Sequence, residues 1–259
     1  MSRSSAQAAV TAGTGGRIAV LADIHGNRWA LEAVLEEVER RGIRGVVTLG
    51  DALYGPLDPG GTGDLLVALG PPSVRGNEDR IIVEAGAEPP SATLVHVQAN
   101  IGAAHRAWLS ALPATVEVGG ALLCHGTPSS DCDYLLWEVG PTGASRREPA
   151  RVAADLSEVA QPLVLCGHDH VPAVLCLSDG QAVVDPGSVG LPAYTDGRPW
   201  PHAMESGSPH ARFAVVERGD GGWTVEQVAV AYDWEAAART ARRQGREDWE
   251  VWLRTGMAR

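Results

Sequence analysis

Five short polar motifs each follow an apolar run in this chain. They are D-I-H at Asp23 to His25, G-D at Gly50–Asp51, G-N-E-D at Gly76 to Asp79, C-H-G at Cys124 to Gly126, and G-H-D-H at Gly167 to His170. The preceding runs, Arg17–Ala22, Gly45–Leu49, Ser73–Arg75, Ala121–Cys124 and Leu163–Cys166, read as strands. In open α/β sheets, functional groups gather beyond the carboxyl ends of the strands. One polar site assembled from distant parts of the chain is therefore expected, and seven side chains can converge on it: Asp23, His25, Asp51, Asn77, His125, His168 and His170. Imidazoles, carboxylates and a carboxamide are ligands for hard and borderline divalent cations. Seven exceed the three or four protein ligands of a zinc site. They suit two cations about 3.5–4 Å apart with a bridging carboxylate, which can stabilise both oxygens of an in-line phosphoryl displacement. Asp23 and His25 are two residues apart at a strand end, so strand alternation would point both side chains the same way.

The elements that must position these residues follow from periodicity. Arg17–Ala22, a helix over Asn27–Arg41 ended by Gly42, and Gly45–Leu49 form a βαβ opening, hence parallel strands. Helices are predicted at Thr62–Leu69, Asn77–Glu84, Ile101–Ala111, Cys132–Val139, Pro149–Val159, Asp233–Arg243 and Arg246–Arg254. Hairpins are predicted at Ala114–Cys124, Ala173–Asp185 and Arg212–Ala231. Parallel strands first and hairpins later suggest two mixed sheets packed together and flanked by helices. Leu191–Ala211 shows no period, contains four prolines with Arg198, Trp200, His202 and His210, and reads as a long loop, either a mobile surface loop or a substrate lid.

Composition narrows the function. The 259 residues suffice for one sizeable core, and no convincing linker separates the candidate ligands, so residues 17–259 are expected to form one domain. The net charge of −11, with no Lys/Arg-rich run, argues against non-specific nucleic-acid binding. It leaves room for a small phosphorylated substrate, because bound cations reverse the local sign. The four cysteines form no C-x-x-C motif and suggest no disulfide framework. Residues 1–16 are rich in Ser, Ala and Gly and read as a disordered lead-in, a poor signal peptide. No apolar stretch approaches the length of a membrane span. A cytoplasmic location without membrane partners is the expectation, and the sequence leaves the oligomeric state open.

The order of these motifs resembles the calcineurin-like metallophosphoesterase superfamily, in particular its small bacterial and archaeal phosphodiesterases and phosphatases. The resemblance runs from about Arg17 to Val230 and is most specific at L-A-D-I-H-G-N (Leu21–Asn27), L-G-D-A-L-Y-G-P (Leu49–Pro56), H-G-T-P (His125–Pro128) and D-P-G-S-V-G (Asp185–Gly190). It implies the family's four-layer α-β-β-α fold. It also implies a first cation on Asp23, His25, Asp51 and His170, and a second on Asp51, Asn77, His125 and His168, with Asp51 bridging. Manganese would be the resident metal, with iron, zinc or nickel as alternatives. The implied activity is hydrolysis of a small phosphomonoester or phosphodiester by a metal-bridging hydroxide.

One position departs from the pattern: Glu78 stands where the family commonly has a His that protonates the leaving oxygen. It would serve as a catalytic acid of raised pKa, or pair with Arg75 or Arg80 as a surface charge. Asp79 matches the family's structural acid. Asn27 would contact phosphate or cap the following helix, and His202 would contact substrate from the 191–211 segment. Two further readings stand beside hydrolysis: a catalytically weak scaffold or regulatory module that retains the fold and metal site, and a phosphatase for a cationic metabolite.

Overall fold

The computed structural model describes residues 16–84 and 91–258. Of the predicted lead-in, residues 1–15 lie outside the described residues. In chain order the elements are β1 (Ile18–Leu21), α1 (Arg28–Arg40), β2 (Gly45–Thr48), α2 (Pro59–Leu69), α3 (Asn77–Glu84), α4 (Ala92–Asn100), α5 (Ala103–Ala111), β3 (Thr115–Val118), β4 (Ala121–Cys124), β5 (Trp137–Gly140) and β6 (Gly143–Arg146). They continue with α6 (Pro149–Asp155), β7 (Leu163–Leu165), β8 (Ala173–Cys176), β9 (Ala182–Asp185), β10 (Ala193–Asp196), β11 (His202–Glu205), β12 (Ala211–Gly219), β13 (Gly222–Val230), α7 (Trp234–Arg243) and α8 (Glu247–Thr255).

Two mixed sheets form the centre, with strand orders β13-β12-β1-β2 and β3-β4-β7-β9-β8. The parallel pairs are β1–β2, β4–β7 and β7–β9, and the remaining pairs in these two sheets are antiparallel. The central strands β1, β4 and β7 are apolar on both faces because both faces are covered. Ile18 and Val20 of β1, Ala214 and Val216 of β12, Leu123 of β4, Leu163 and Leu165 of β7 and Val184 of β9 pack between the sheets. The alternate residues face outward. Ala19 and Leu21 of β1 and Phe213 and Val215 of β12 meet Ala30, Leu31, Val34 and Val38 of α1. Cys124, Val164 and Val183 of the second sheet meet Val152 of α6. The result is the expected helix–sheet–sheet–helix layering. Among the described residues no helix is long and apolar enough to cross a membrane.

Local signals explain the helix ends. Asn27 caps α1 by accepting from the Ala30 N–H. Asp58 caps α2, whose first residue is Pro59, so this helix starts three residues before the apolar pattern suggests. Four expectations fail. Ser73–Arg75 forms no strand, only a single parallel bridge from Ser73 to Thr48. Cys132–Val139 is not helical: it is a loop running into β5, which pairs with β6 around a turn at Gly140–Gly143. Helix α4, capped by Ser91, was not expected, because its Thr and Val residues weaken the helical signal. Leu191–Ala211 is not structureless. β10 and β11 pair antiparallel with Tyr194 opposite Met204, and Ala193, His202 and Met204 are buried. The prolines and four-residue strands hid that alternation.

Phe213, the only phenylalanine of the chain, is fully buried beneath α1. Phe213→Ala is expected to cost about 3–5 kcal/mol of stability in urea unfolding. A loss below about 1 kcal/mol would mean that this layer is not packed as described.

Candidate metal centre

The site lies where the carboxyl ends of β1, β2, β4 and β7 meet the start of α3. β1 ends at Leu21, so Asp23 and His25 do not reach the site by strand alternation as the sequence suggested. Their backbone is left-handed instead, with φ of 54° and 52°. Asp51, His168 and His170 share this conformation, with φ of 50°, 75° and 63°, and no other described non-glycine residue does. This region disfavours L-residues, although Asp and His tolerate it better than most.

Backbone hydrogen bonds hold these loops together. The Asp23 N–H donates to the Gly50 carbonyl at 3.1 Å, His25 to Asp51 at 2.9 Å, and Gly167 to His125 at 2.7 Å. The Ser188 hydroxyl and the Gly190 N–H donate to the Asp23 carbonyl at 2.8 and 3.0 Å. Asp79 accepts from the N–H groups of Asp51, Ala52 and Gly76 at 2.8, 3.0 and 3.0 Å, tying the G-D loop to the G-N-E-D turn. A Cβ on Gly76 would sit 2.1 Å from Asp51 Oδ1, so this contact requires glycine.

The seven predicted ligands come together as two neighbouring groups. Ligand atoms of Asp23, His25 and His170 lie within 4.8 Å of one another, as do those of Asp51, His125 and His168. His125 Nε2 lies 3.0 Å from Asn77 Oδ1 and 3.4 Å from Asp51 Oδ2. Each histidine spends its other nitrogen on a backbone carbonyl. His25 Nδ1 donates to Tyr54 at 3.0 Å, His125 Nδ1 to Leu49 at 2.7 Å, His168 Nε2 to Cys132 at 3.1 Å and His170 Nδ1 to Leu191 at 2.6 Å. Such bonds fix the tautomer and aim the remaining lone pair inward. Consequently His25 Nε2 and His170 Nε2 face each other at 3.1 Å. Asp23 Oδ1, 3.4 Å from His170 Nε2, is buried without a hydrogen-bond partner. Once a cation displaces their protons, these nitrogens and the Asp23 oxygen converge as acceptors, and the nitrogen and oxygen set fits a divalent transition metal.

The electrostatics agree. Burial opposes charge on Asp51, but His125, His25 and His168 hold its carboxyl well below the usual carboxylate range. Burial also works against charge on His25 and His125; nearby Glu78 and Asp51 lift His25 to about 9, and Asp51 and Asp23 lift His125 to about 10. Burial and the neighbouring His125 charge push His168 down to about 4. Two carboxylates are thus balanced by two imidazolium protons, the charge that a bound cation replaces as it releases protons.

Glu78 pairs with neither Arg75 nor Arg80. Arg80 is held by Asp131 in a bidentate pair at 2.8 and 3.0 Å. Glu78 Oε2 lies 3.0 Å from His25 Nδ1 but accepts no hydrogen bond, and burial pushes its carboxyl up to about 7. It lines a cavity of about 200 Å³ beside the ligands, together with Tyr54, Tyr134, Tyr194, Arg246 and Trp249. Asn27 does not face this cavity: its amide caps α1 and donates to the Gly190 carbonyl at 2.8 Å and the Tyr232 hydroxyl at 3.2 Å. His202 is buried against the Tyr134 hydroxyl at 3.0 Å, one layer behind the cavity wall.

Sequence reasoning missed that wall. The Tyr134 and Tyr194 rings pack on His168 and His170 with centroids 4.8 and 4.6 Å apart, and the Tyr194 hydroxyl donates to the His168 carbonyl at 3.0 Å. The 191–211 segment is therefore joined to the site through β10. Trp249 of α8 meets the His25 ring edge-on at 5.9 Å. Nothing in a closing amphipathic helix signals such a contact.

Residues 17–200 match the calcineurin-like phosphoesterase superfamily domain. An uncharacterized protein of Methanocaldococcus jannaschii is 27% identical over 241 residues, covering 83% of this chain and 88% of its own. A metallophosphoesterase from Sphaerobacter thermophilus superposes with a TM-score of 0.74 at 24% identity, covering 94% of this chain and 100% of its own. A hypothetical protein from Pyrococcus horikoshii gives a TM-score of 0.71 at 23% identity, covering 94% of this chain and 99% of its own. These two structures speak for the fold.

A Cβ on Gly190 would lie 1.8 Å from the Ile24 carbonyl, between Asp23 and His25. Gly190→Ala is expected to weaken divalent-metal binding by at least about tenfold, measured by titration with elemental analysis. Gly197→Ala, where the added methyl meets nothing within 4 Å, is the control. Equal affinity in both variants would show that this contact does not position the ligands.

Proposed function

The chain belongs to the calcineurin-like phosphoesterase superfamily, and from that premise we propose that it is a binuclear metal-dependent hydrolase of a small phosphorylated compound. The observation that carries the proposal is the set of converging acceptors: the facing His25 and His170 nitrogens and the orphaned Asp23 oxygen. In this reading Asp23, His25 and His170 hold one cation, and Asn77, His125 and His168 hold the other. Asp51 lies between them, since its carboxylate groups with His125 and His168 and also with His25 and Glu78. Manganese is the proposed resident metal, with iron, zinc and nickel compatible with the same donors. Divalent cations in these positions would supply positive charge against a phosphoryl group and lower the pKa of water.

The protein's own residues do the rest. Asp79 and the carbonyls of Tyr54, Leu49, Cys132 and Leu191 orient the ligands, so little reorganisation is needed when substrate binds. Tyr134 and Tyr194 shield the outer faces of His168 and His170. Leu191, Trp249 and Trp252 supply apolar wall, and Arg246 and Thr195 supply polar wall, on the side where a leaving group would lie. The cavity of about 200 Å³ suits a small ester better than a polymer. A cytoplasmic location is part of the same proposal.

The test is hydrolysis of paired aryl phosphate mono- and diesters by metal-stripped protein after adding back manganese, zinc or magnesium. Turnover is expected with manganese and is expected to fall at least about 100-fold in Asp51→Asn, and the preferred ester assigns the reaction type. Absence of turnover with every metal, despite two bound ions per chain, would instead favour the scaffold reading.

A further inference from the structure

A second cavity, of about 330 Å³, opens beside the metal centre and shares His125 with it. Its wall comes from Arg75 just before α3, from Arg80 within α3, and from Thr127, Ser129, Ser130 and Asp131 of the loop after β4. Arg80 is neutralised there by Asp131. Arg75 is not. Its side chain has no acidic partner and no hydrogen bond among the described residues, and its Nε is buried and unsatisfied. Other arginines around the site have partners: Arg147 pairs with Asp155 at 2.7 Å, Arg246 with Asp248 at 2.7 Å, and Arg151 with Glu138. Leaving a buried charged donor without an acceptor is costly, and a guanidinium fork matches the oxygens of a phosphate.

The surroundings of Arg75 complete an anion site. With Arg80 and Asp131 compensating each other, the cavity keeps one net positive charge in a chain whose overall charge is −11. The hydroxyls of Thr127, Ser129 and Ser130 are donors in the same wall. Arg75 is two residues from Asn77, and Thr127 and Ser129 also line a larger groove that begins at Asn77 and His168. The cavity at Arg75 and the groove that reaches Asn77 and His168 thus share the Thr127 and Ser129 part of the 125–131 loop.

We propose that this cavity holds a second phosphate of the same substrate molecule, so that the enzyme acts on compounds carrying two phosphate groups separated by a short spacer. The inference rests on the phosphoesterase reading for the first phosphate. Arg75 is the anchor of the second, with Thr127, Ser129 and Ser130 as its hydrogen-bonding wall.

The test compares 1,3-propanediol bisphosphate with propyl phosphate as competitors of 4-nitrophenyl phosphate hydrolysis by the manganese-loaded protein. The bisphosphate is expected to compete at least about tenfold better in the natural protein, with that ratio falling to about 1 in Arg75→Gln. Equal competition in the natural protein, or a ratio unchanged in Arg75→Gln, overturns the proposal. Should Arg75→Gln fail to fold, Arg75→Lys is expected to cut the ratio at least about threefold, because one ammonium cannot reproduce the fork; an undiminished ratio overturns the proposal as well. If no aryl phosphate is turned over with any metal, the phosphoesterase reading fails by itself. The two-phosphate site is then tested by calorimetry of the same pair of compounds, where equal affinity in Arg75→Gln and the natural protein counts against it.

Discussion

Left-handed backbone at Asp23, His25, Asp51, His168 and His170 is the constraint on which the rest of the site depends. Such conformations cost on the order of 1–3 kcal/mol each and persist only when their surroundings over-determine them. Here the surroundings are other strand ends. The loop after β1 hydrogen-bonds to the loop after β2, Gly167 in the loop after β7 bonds to His125 after β4, and Val189 and Gly190 beyond β9 close onto Ala22 and Asp23. Each loop is held in its strained form by a loop from elsewhere in the chain. The two-sheet core serves this purpose: it sets the strand ends at the distance where those bonds form.

This also explains which parts of the site were legible in the sequence. The seven candidate ligands stood out because polar residues follow apolar runs, and the sandwich of mixed sheets was legible from a βαβ opening followed by hairpins. How Asp23 and His25 turn inward was not legible. The spacing of two suggested strand alternation, while the chain uses consecutive turns whose φ values no local pattern announces. The four carbonyls that orient the histidines were equally hidden, since a backbone acceptor has no residue type.

The misread segments share a physical cause. Cys132–Val139 holds apolar residues at helical spacing, but Gly140 to Gly143 provide a turn that β5 and β6 use as a hairpin. In the 191–211 segment, Arg198–Pro199 and Trp200–Pro201 fall in the connection between β10 and β11, so the prolines interrupt the connection and spare the strands. A short strand beside a proline-rich turn loses its alternation to any window long enough to detect a period. That segment supplies Tyr194 and His202, which is why the tyrosine wall escaped the sequence along with the hairpin.

The neutral carbonyls that partner all four histidines, joined at His25 by Glu78, bear on how the proposed metal centre would attract an anionic substrate in an acidic protein. Histidine ligands are often oriented by carboxylates, each of which adds a negative charge near the metal. Four such carboxylates here would outweigh the charge of two divalent cations already shared with Asp23 and Asp51. With carbonyls in their place, the orienting dipoles fix each ring without adding net charge, and Asp79, the one buried carboxylate in the supporting layer under Asp51, spends its oxygens on three backbone N–H groups. Of the further acids at the cavity, Glu78 and Asp196, burial already favours the neutral form of Glu78. With cations bound, the proposed site would stay attractive to phosphate inside a chain of net charge −11, and the unneutralised Arg75 beyond His125 would extend that attraction along the 125–131 loop.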